Sequence, residues 1–179
     1  MREDDPSAKN PLKPADLLER AFRLLAARDY AERELRERLA ARAGSEEEMD
    51  AVVAQLRELG FLNESRFAER KAADAAGRRL VGRQRAAREL EARELDPSVV
   101  AQAVDAAYAG RDETAMALAH LERKLAAMLS GNGLEEPRAL QRAYGRLRRA
   151  GFGHAASVTA LRAHSRLAED LDEFAGGEE

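Results

Sequence analysis

One short phrase occurs twice in this chain, and it constrains the fold more than any other feature. Leu56-Arg57-Glu58-Leu59-Gly60-Phe61 returns as Leu147-Arg148-Arg149-Ala150-Gly151-Phe152. Each reads as the last turn of a helix closed by a Schellman stop. The glycine takes the left-handed C′ position without a Cβ penalty, and the Phe folds back onto the Leu four residues before that glycine. Gly110 closes a further helix-like run, so the stops fall at 60, 110 and 151. Such spacing is that of stacked helical units. The expectation is three copies of one small helical module.

Composition matters here for what it excludes. Ala, Leu, Arg and Glu dominate, and these are strong helix formers. No alternating β-branched run reads as a strand, so the fold class is all-α. With 35% charged residues and no long apolar run, no membrane-spanning segment is expected. Met1–Asp5 lacks the apolar core of a signal peptide, and cytoplasmic residence is the simple expectation. The absence of cysteine removes disulfides, a thiol nucleophile and any Cys-based zinc site. The net charge of −3 is not that of a protein gripping a duplex with its whole surface, so any use of positive charge must be local.

Two tails and three modules make up the expected layout. Residues 1–11 form a disordered N-terminal tail, and 169–179 an acidic, frayed C-terminal one. Module one, 12–62, holds helices over about 15–27, 31–42 and from Ser45. Ser45-Glu46-Glu47-Glu48 reads as a capping box, with Met49, Val52, Val53, Leu56 and Leu59 as the apolar stripe. Module two, 63–110, has Asn63 capping a helix over 64–76, a break bracketed by Gly77 and Gly82, and a helix over 83–94. Asp96-Pro97 then opens a helix ending near Tyr108. Module three, 111–168, has a long helix from Asp112 to Leu129, a loop at 130–133, a helix from Pro137 to about Ala150 and a last one over 154–168. Phe22, Phe61, Phe67 and Phe152 are assigned to the core by their spacing.

Three stretches together resemble the RecX family, the bacterial regulators of the RecA recombinase. They are Leu24-Leu25-Ala26-Ala27-Arg28-Asp29 with Glu34-Leu35-x3-Leu39; Leu59-Gly60-Phe61-Leu62-Asn63-Glu64-x2-Phe67-Ala68; and Gly82-x2-Arg85-x3-Glu89-Leu90. Arg148-Arg149-Ala150-Gly151-Phe152 is similar to the Arg-Gly-Phe turn of the family's third module. The likeness spans about residues 15–166. There are departures: Ala31 stands where the family often has a capping Ser or Thr, so Asp29 would have to cap. Lys71 replaces an apolar or aromatic residue, and Leu95-Asp96-Pro97 replaces a glycine-containing turn. The resemblance implies three tandem three-helix, helix-turn-helix-like repeats in an elongated, curved row. It also implies a monomer that binds RecA and the RecA filament on single-stranded DNA, and that inhibits or tunes ATP hydrolysis and strand exchange in recombination, DNA repair and the SOS response. Such a protein is a modulator and not an enzyme, and it needs no cofactor.

Two arginine ridges are the candidate binding residues, for RecA acids or DNA phosphates. Residues 138–149 carry Arg138, Arg142, Arg146, Arg148 and Arg149 without an acid. The first three and Arg149 recur at helical spacing on one face, with Leu140, Tyr144 and Leu147 on another. Residues 78–93 hold Arg78, Arg79, Arg83, Arg85, Arg88 and Arg93 against Glu89 and Glu91. Arginine forks suit both phosphate and carboxylate. The bland alternative is a set of solvated helix faces, and for residues 78–93 the interleaved glutamates make it an even choice.

Direct DNA binding without RecA is the alternative function, through weak phosphate contacts with little sequence reading. The last helix of module one begins with Glu46-Glu47-Glu48, and that of module two carries no basic residue. Neither suits a major groove, and only the third carries Arg162, Arg166 and two histidines, so any nucleic-acid contact is expected from middle-helix arginines touching phosphates. A helical scaffold for some other partner is the third class. His120, His154 and His164 have no metal-pair spacing, no P-loop is present, and no acid sits in an apolar setting that would tune it for catalysis.

Overall fold

The computed structural model describes residues 11–129, 134–165 and 167–168. Among these residues there are only helices, turns and coil: α1 (Pro14–Ala27), α2 (Glu32–Ala40), α3 (Glu46–Glu58), α4 (Glu64–Asp74), a π-helical turn (Ala75–Arg79), α5 (Arg83–Glu91), α6 (Pro97–Tyr108), α7 (Glu113–Lys124), α8 (Ala126–Leu129), α9 (Pro137–Arg149) and α10 (His154–Arg162). The all-α class is as the sequence implies. The two terminal tails lie outside the described residues except for Pro11, as do the loop at 130–133 and Arg166.

Helix starts obey local chemistry. Pro14, Pro97 and Pro137 occupy the first turn of α1, α6 and α9, where the missing N–H costs nothing. Asn63 Oδ1 accepts from Arg66 N at 2.8 Å to cap α4, and Asp112 Oδ1 accepts from Thr114 N at 2.8 Å to cap α7. At α3, Ser45 Oγ accepts from Glu48 N at 3.2 Å, whereas the Glu48 carboxylate reaches past Ser45 to the N–H of Gly44, at 3.1 Å. The box therefore closes one residue early.

Several expectations are corrected. Asp29 does not cap α2; Ala31 is the cap residue and makes no side-chain bond, while Asp29 pairs with Arg70 of α4. The acids Glu32 and Glu34 in the first turn offset the bare N-terminus through the helix dipole. Gly77 does not break α4. The chain widens instead into the π-helical turn, and the reversal falls at Leu80, whose φ of 52° is left-handed. The long helix expected to Leu129 breaks at Leu125, which leaves helical geometry and buries its side chain. The last helix stops at Arg162, short of 168.

The apolar side chains gather in three main clusters. Leu17, Leu35, Leu39, Val52, Val53 and Leu56 join α1, α2 and α3. Phe67, Ala72, Leu90, Val100 and Val104 join α4, α5 and α6, with Ala31 reaching in from before α2. Leu121, Leu140, Leu147, Phe152, Val158 and Leu161 join α7, α9 and α10, with Ala76 reaching in from the π-helical turn.

Both Gly-Phe stops have the expected Schellman hydrogen bonds. Phe61 N donates to Leu56 O at 2.9 Å and Gly60 N to Arg57 O at 2.9 Å; Phe152 N donates to Leu147 O at 3.2 Å and Gly151 N to Arg148 O at 3.0 Å. Gly60, Gly110 and Gly151 all have positive φ. Their surroundings differ. Phe152 is fully buried, but Phe61 is 51% exposed and Leu59 53% exposed, which corrects the assignment of Phe61 to the core and of Leu59 to the apolar stripe. Phe22 is only partly buried and meets the Phe61 ring edge-on at 4.9 Å.

The second and third clusters meet at a backbone joint. Gly82 N donates to Ala150 O at 2.8 Å, and Tyr108 Oη donates to Val81 O at 2.8 Å. A Cβ at Gly82 would sit 2.1 Å from Gly151 O, and one at Gly151 would sit 2.4 Å from Arg85 N, so both positions require glycine for space. The first and second clusters are joined mainly by ion pairs: Arg93 Nε to Glu34 at 3.2 Å, Arg33 to Glu94, and Arg70 to Asp29.

Candidate functional site

Helix α9 is the most sharply two-sided element. Ala139, Leu140, Ala143 and Leu147 are buried against the third cluster, which turns Arg138, Arg142, Arg146 and Arg149 outward. These four guanidiniums are exposed, and none has an acidic partner among the described residues. Among the described residues they form a stripe without compensating acids along the length of the helix. Arg148 is not part of it. Its Nη1 donates to Phe152 O at 2.7 Å, so it serves as a strut across the Gly-Phe stop. Tyr144, expected to pack inward, is half-buried and bonds His154 Nδ1 at 2.9 Å.

The arginines of 78–93 have a different setting. Arg79 grips Glu89 with both terminal nitrogens, at 2.6 and 2.7 Å, and Arg85 Nε shares the same carboxylate at 2.7 Å. The Arg79 hydrogen bonds, with those from Arg85, hold the Glu89 carboxyl down at about 2 despite its partial burial. Arg78 bonds Asp74 at 2.6 Å, Arg83 pairs with Asp105 of α6, and Arg93 bonds Glu34. Arg88 donates to Gln84 O at 3.2 Å and faces solvent. The second ridge is thus largely neutralised by its own neighbours.

Three residues outside both predicted ridges join the first of these arginines. His120, Arg123 and Lys124 of α7 line a cleft of about 460 Å³ with Arg78, Arg79, Val81 and Arg85. His120 is buried, and its Nδ1 lies 2.6 Å from Leu80 O, so this nitrogen carries the proton and donates it. Burial pushes its pKa down, with the Lys124 and Arg85 charges adding to the effect, and the ring meets Phe152 edge-on at 5.5 Å. Its sequence signal was only a lone histidine in an apolar stretch. Arg123 and Lys124 read from sequence as cations matching the C-terminal dipole of a helix, which hid their convergence with residues forty positions away.

Among the described residues, no group of three or more His, Asp or Glu side chains could hold a metal ion, and no helix is long and apolar enough to cross a membrane. His164 Nε2 lies 3.8 Å from Glu122, and the three histidines do not meet.

No protein-family model matches this chain, and no curated protein sequence does. A solved structure does. The crystal structure of RecX from Lactobacillus salivarius matches with a TM-score of 0.65 at 16% sequence identity, covering 84% of this chain and 95% of that one. Shared helices over nearly the whole of that protein, at an identity too low to carry more than architecture, give this chain a RecX-like fold.

Proposed function

We propose that the chain is a RecX-type regulator that binds the RecA recombinase and its filament on single-stranded DNA, and modulates ATP hydrolysis and strand exchange there. It acts as a monomeric, non-enzymatic binding protein of the cytoplasm, built as three tandem helical repeats. The observation that carries this reading is the RecX-like fold over 84% of the chain, combined with a stripe of four α9 arginines that have no acidic partner among the described residues. A row of small helical units offers a long shallow surface and no deep catalytic pocket, which suits a filament groove. The α9 stripe supplies forks for carboxylates or phosphates along that surface. The paired arginines of the second unit contribute less, because their own acids already offset part of their charge.

The test is RecA's DNA-dependent ATPase with and without this protein. Stoichiometric protein changes the rate, and the triple variant R138E/R142E/R146E abolishes the change while keeping the helical circular dichroism. No change at stoichiometric excess overturns the reading. Direct DNA binding is favoured instead if the wild-type protein shifts single- or double-stranded DNA without RecA, with an affinity that falls steeply as salt rises.

A further inference from the structure

The cleft between the π-helical turn and the C-terminal end of α7 is not needed by the RecA reading, and it has the features of a small-anion site. We propose that it binds a short phosphate chain the size of a triphosphate. Five cationic side chains line it, Arg78, Arg79, Arg85, Arg123 and Lys124, and no carboxylate does. It is an open hollow of about 460 Å³, roomy enough for a short phosphate chain.

The carboxylates near it stand behind the cations and hold them in place. Arg79 Nη2 and Arg85 Nε both lie 2.7 Å from the same Glu89 oxygen, close enough to share one further anion. Neither terminal nitrogen of Arg85 has a hydrogen-bond partner among the described residues. Asp74 likewise fixes Arg78 by its Nε, at 2.6 Å. Across the cleft, Arg123 and Lys124 are exposed and have no acidic partner among the described residues. The two buttressing acids leave a surplus of three positive charges, which a monovalent anion cannot match and a polyphosphate can.

Two features narrow the ligand further. No Phe, Tyr or Trp lines the cleft and its one imidazole, His120, is buried edge-on against Phe152, so a nucleobase finds no open stacking platform and the phosphates dominate. The C-terminal dipole of α7 opposes an anion weakly, and the charge-assisted hydrogen bonds from the cleft's cations outweigh it. The cleft also straddles the joint, since Val81 and Arg85 belong to one side and His120 to the other. A bound phosphate chain therefore clamps the second and third clusters together.

Phosphate chains reach a protein free in solution or as part of a nucleotide or a nucleic-acid strand, and calorimetry on the full chain at low salt separates these sources. Sodium tripolyphosphate is expected to bind saturably at one site, ATP to bind, adenosine not to bind, and a single-stranded oligonucleotide to bind no more tightly than tripolyphosphate. The R123E/K124E variant should weaken tripolyphosphate about a hundredfold. The gentler R123Q/K124Q pair should weaken it in the same direction, guarding against a folding defect. R20E/R38E, the same charge change placed on α1 and α2, should leave it unaltered. The proposal falls if tripolyphosphate fails to saturate, if R123Q/K124Q binds it like the wild type, if R20E/R38E weakens it equally, or if only the oligonucleotide binds. The first three outcomes leave the RecA reading untouched; the fourth also favours direct DNA binding, and RecA's ATPase then decides that reading separately.

Discussion

The two Gly-Phe stops share a backbone and differ in what covers them. Around Gly60 the chain is open: a Cβ there would meet nothing within 4 Å, and Phe61 lies half in solvent. Around Gly151 a second segment is pressed against the turn, with Arg85 N at 2.4 Å from where a Cβ would be and Phe152 sealed beneath. A Schellman motif satisfies helix carbonyls by itself, and it becomes a joint only when another backbone docks on it. Unequal costs are therefore expected for one substitution. Gly60→Ala meets only left-handed strain and should cost about 1 kcal/mol. Gly151→Ala adds a backbone clash and should cost about 4 kcal/mol in urea unfolding, or prevent folding. Equal costs at the two sites would show that the docked segment yields, and would break the comparison.

The same contrast separates the parts of the molecule that were legible beforehand from those that were not. Helices α3, α6 and α9 were readable because their signals are local: a cap, a first-turn proline, an apolar period and a glycine stop all lie within fifteen residues. The exposure of Phe61 was not readable. Its hexapeptide matches that of Phe152, and the difference resides in Val81–Arg85, which covers one stop and not the other. Nor was the quenching of the second arginine ridge fully visible. Glu89 lies within that stretch, but Asp105 and Glu34 approach from other helices. The α9 stripe was legible because a helix with an unbroken apolar face must turn its arginines outward. The basic cleft depends on the C-terminal end of α7 lying beside the π-helical turn, a tertiary fact without a sequence signature.

The docked stop should also carry a pH dependence that the open one lacks. His120 packs on Phe152 and is held neutral by burial, so its folded pKa lies below the unfolded value of about 6.5. As pH falls below that value, the unfolded chain takes up a proton that the folded chain refuses, and stability declines until the folded pKa is reached. Denaturant midpoints between pH 7.5 and 5 should fall more steeply for wild type than for His120→Gln. That variant keeps a donor for Leu80 O and removes the titration. A parallel decline in both proteins would assign the acid sensitivity elsewhere and separate His120 from the joint.

The smallest expected effect lies at the helix start beyond each stop, where the difference between local and borrowed support can be tested once more. After the first stop, Asn63 caps α4 within its own turn. After the second, Gly153 offers no side chain, and its N–H donates to Glu113 Oε1 of α7 at 2.7 Å. One residue earlier, Phe152 O accepts from Arg148. Asn63→Ala should cost about 1 kcal/mol as a lost N-cap. Glu113→Ala should cost no more than about 1 kcal/mol, because water can reach the freed N–H. Magnitude alone does not separate the two, but coupling does. Glu113 and Arg148 brace the N–H and the C=O of one peptide unit, Phe152–Gly153, from different helices, so a double-mutant cycle between Glu113→Ala and Arg148→Ala should show about 0.5 kcal/mol or more of interaction. The cycle between Asn63→Ala and Arg148→Ala should be additive, since a self-capped turn has nothing to report to the far joint. Additivity in both cycles would mean that Gly153 is positioned by its own backbone, and that the second stop draws its order from the contact with Gly82 alone.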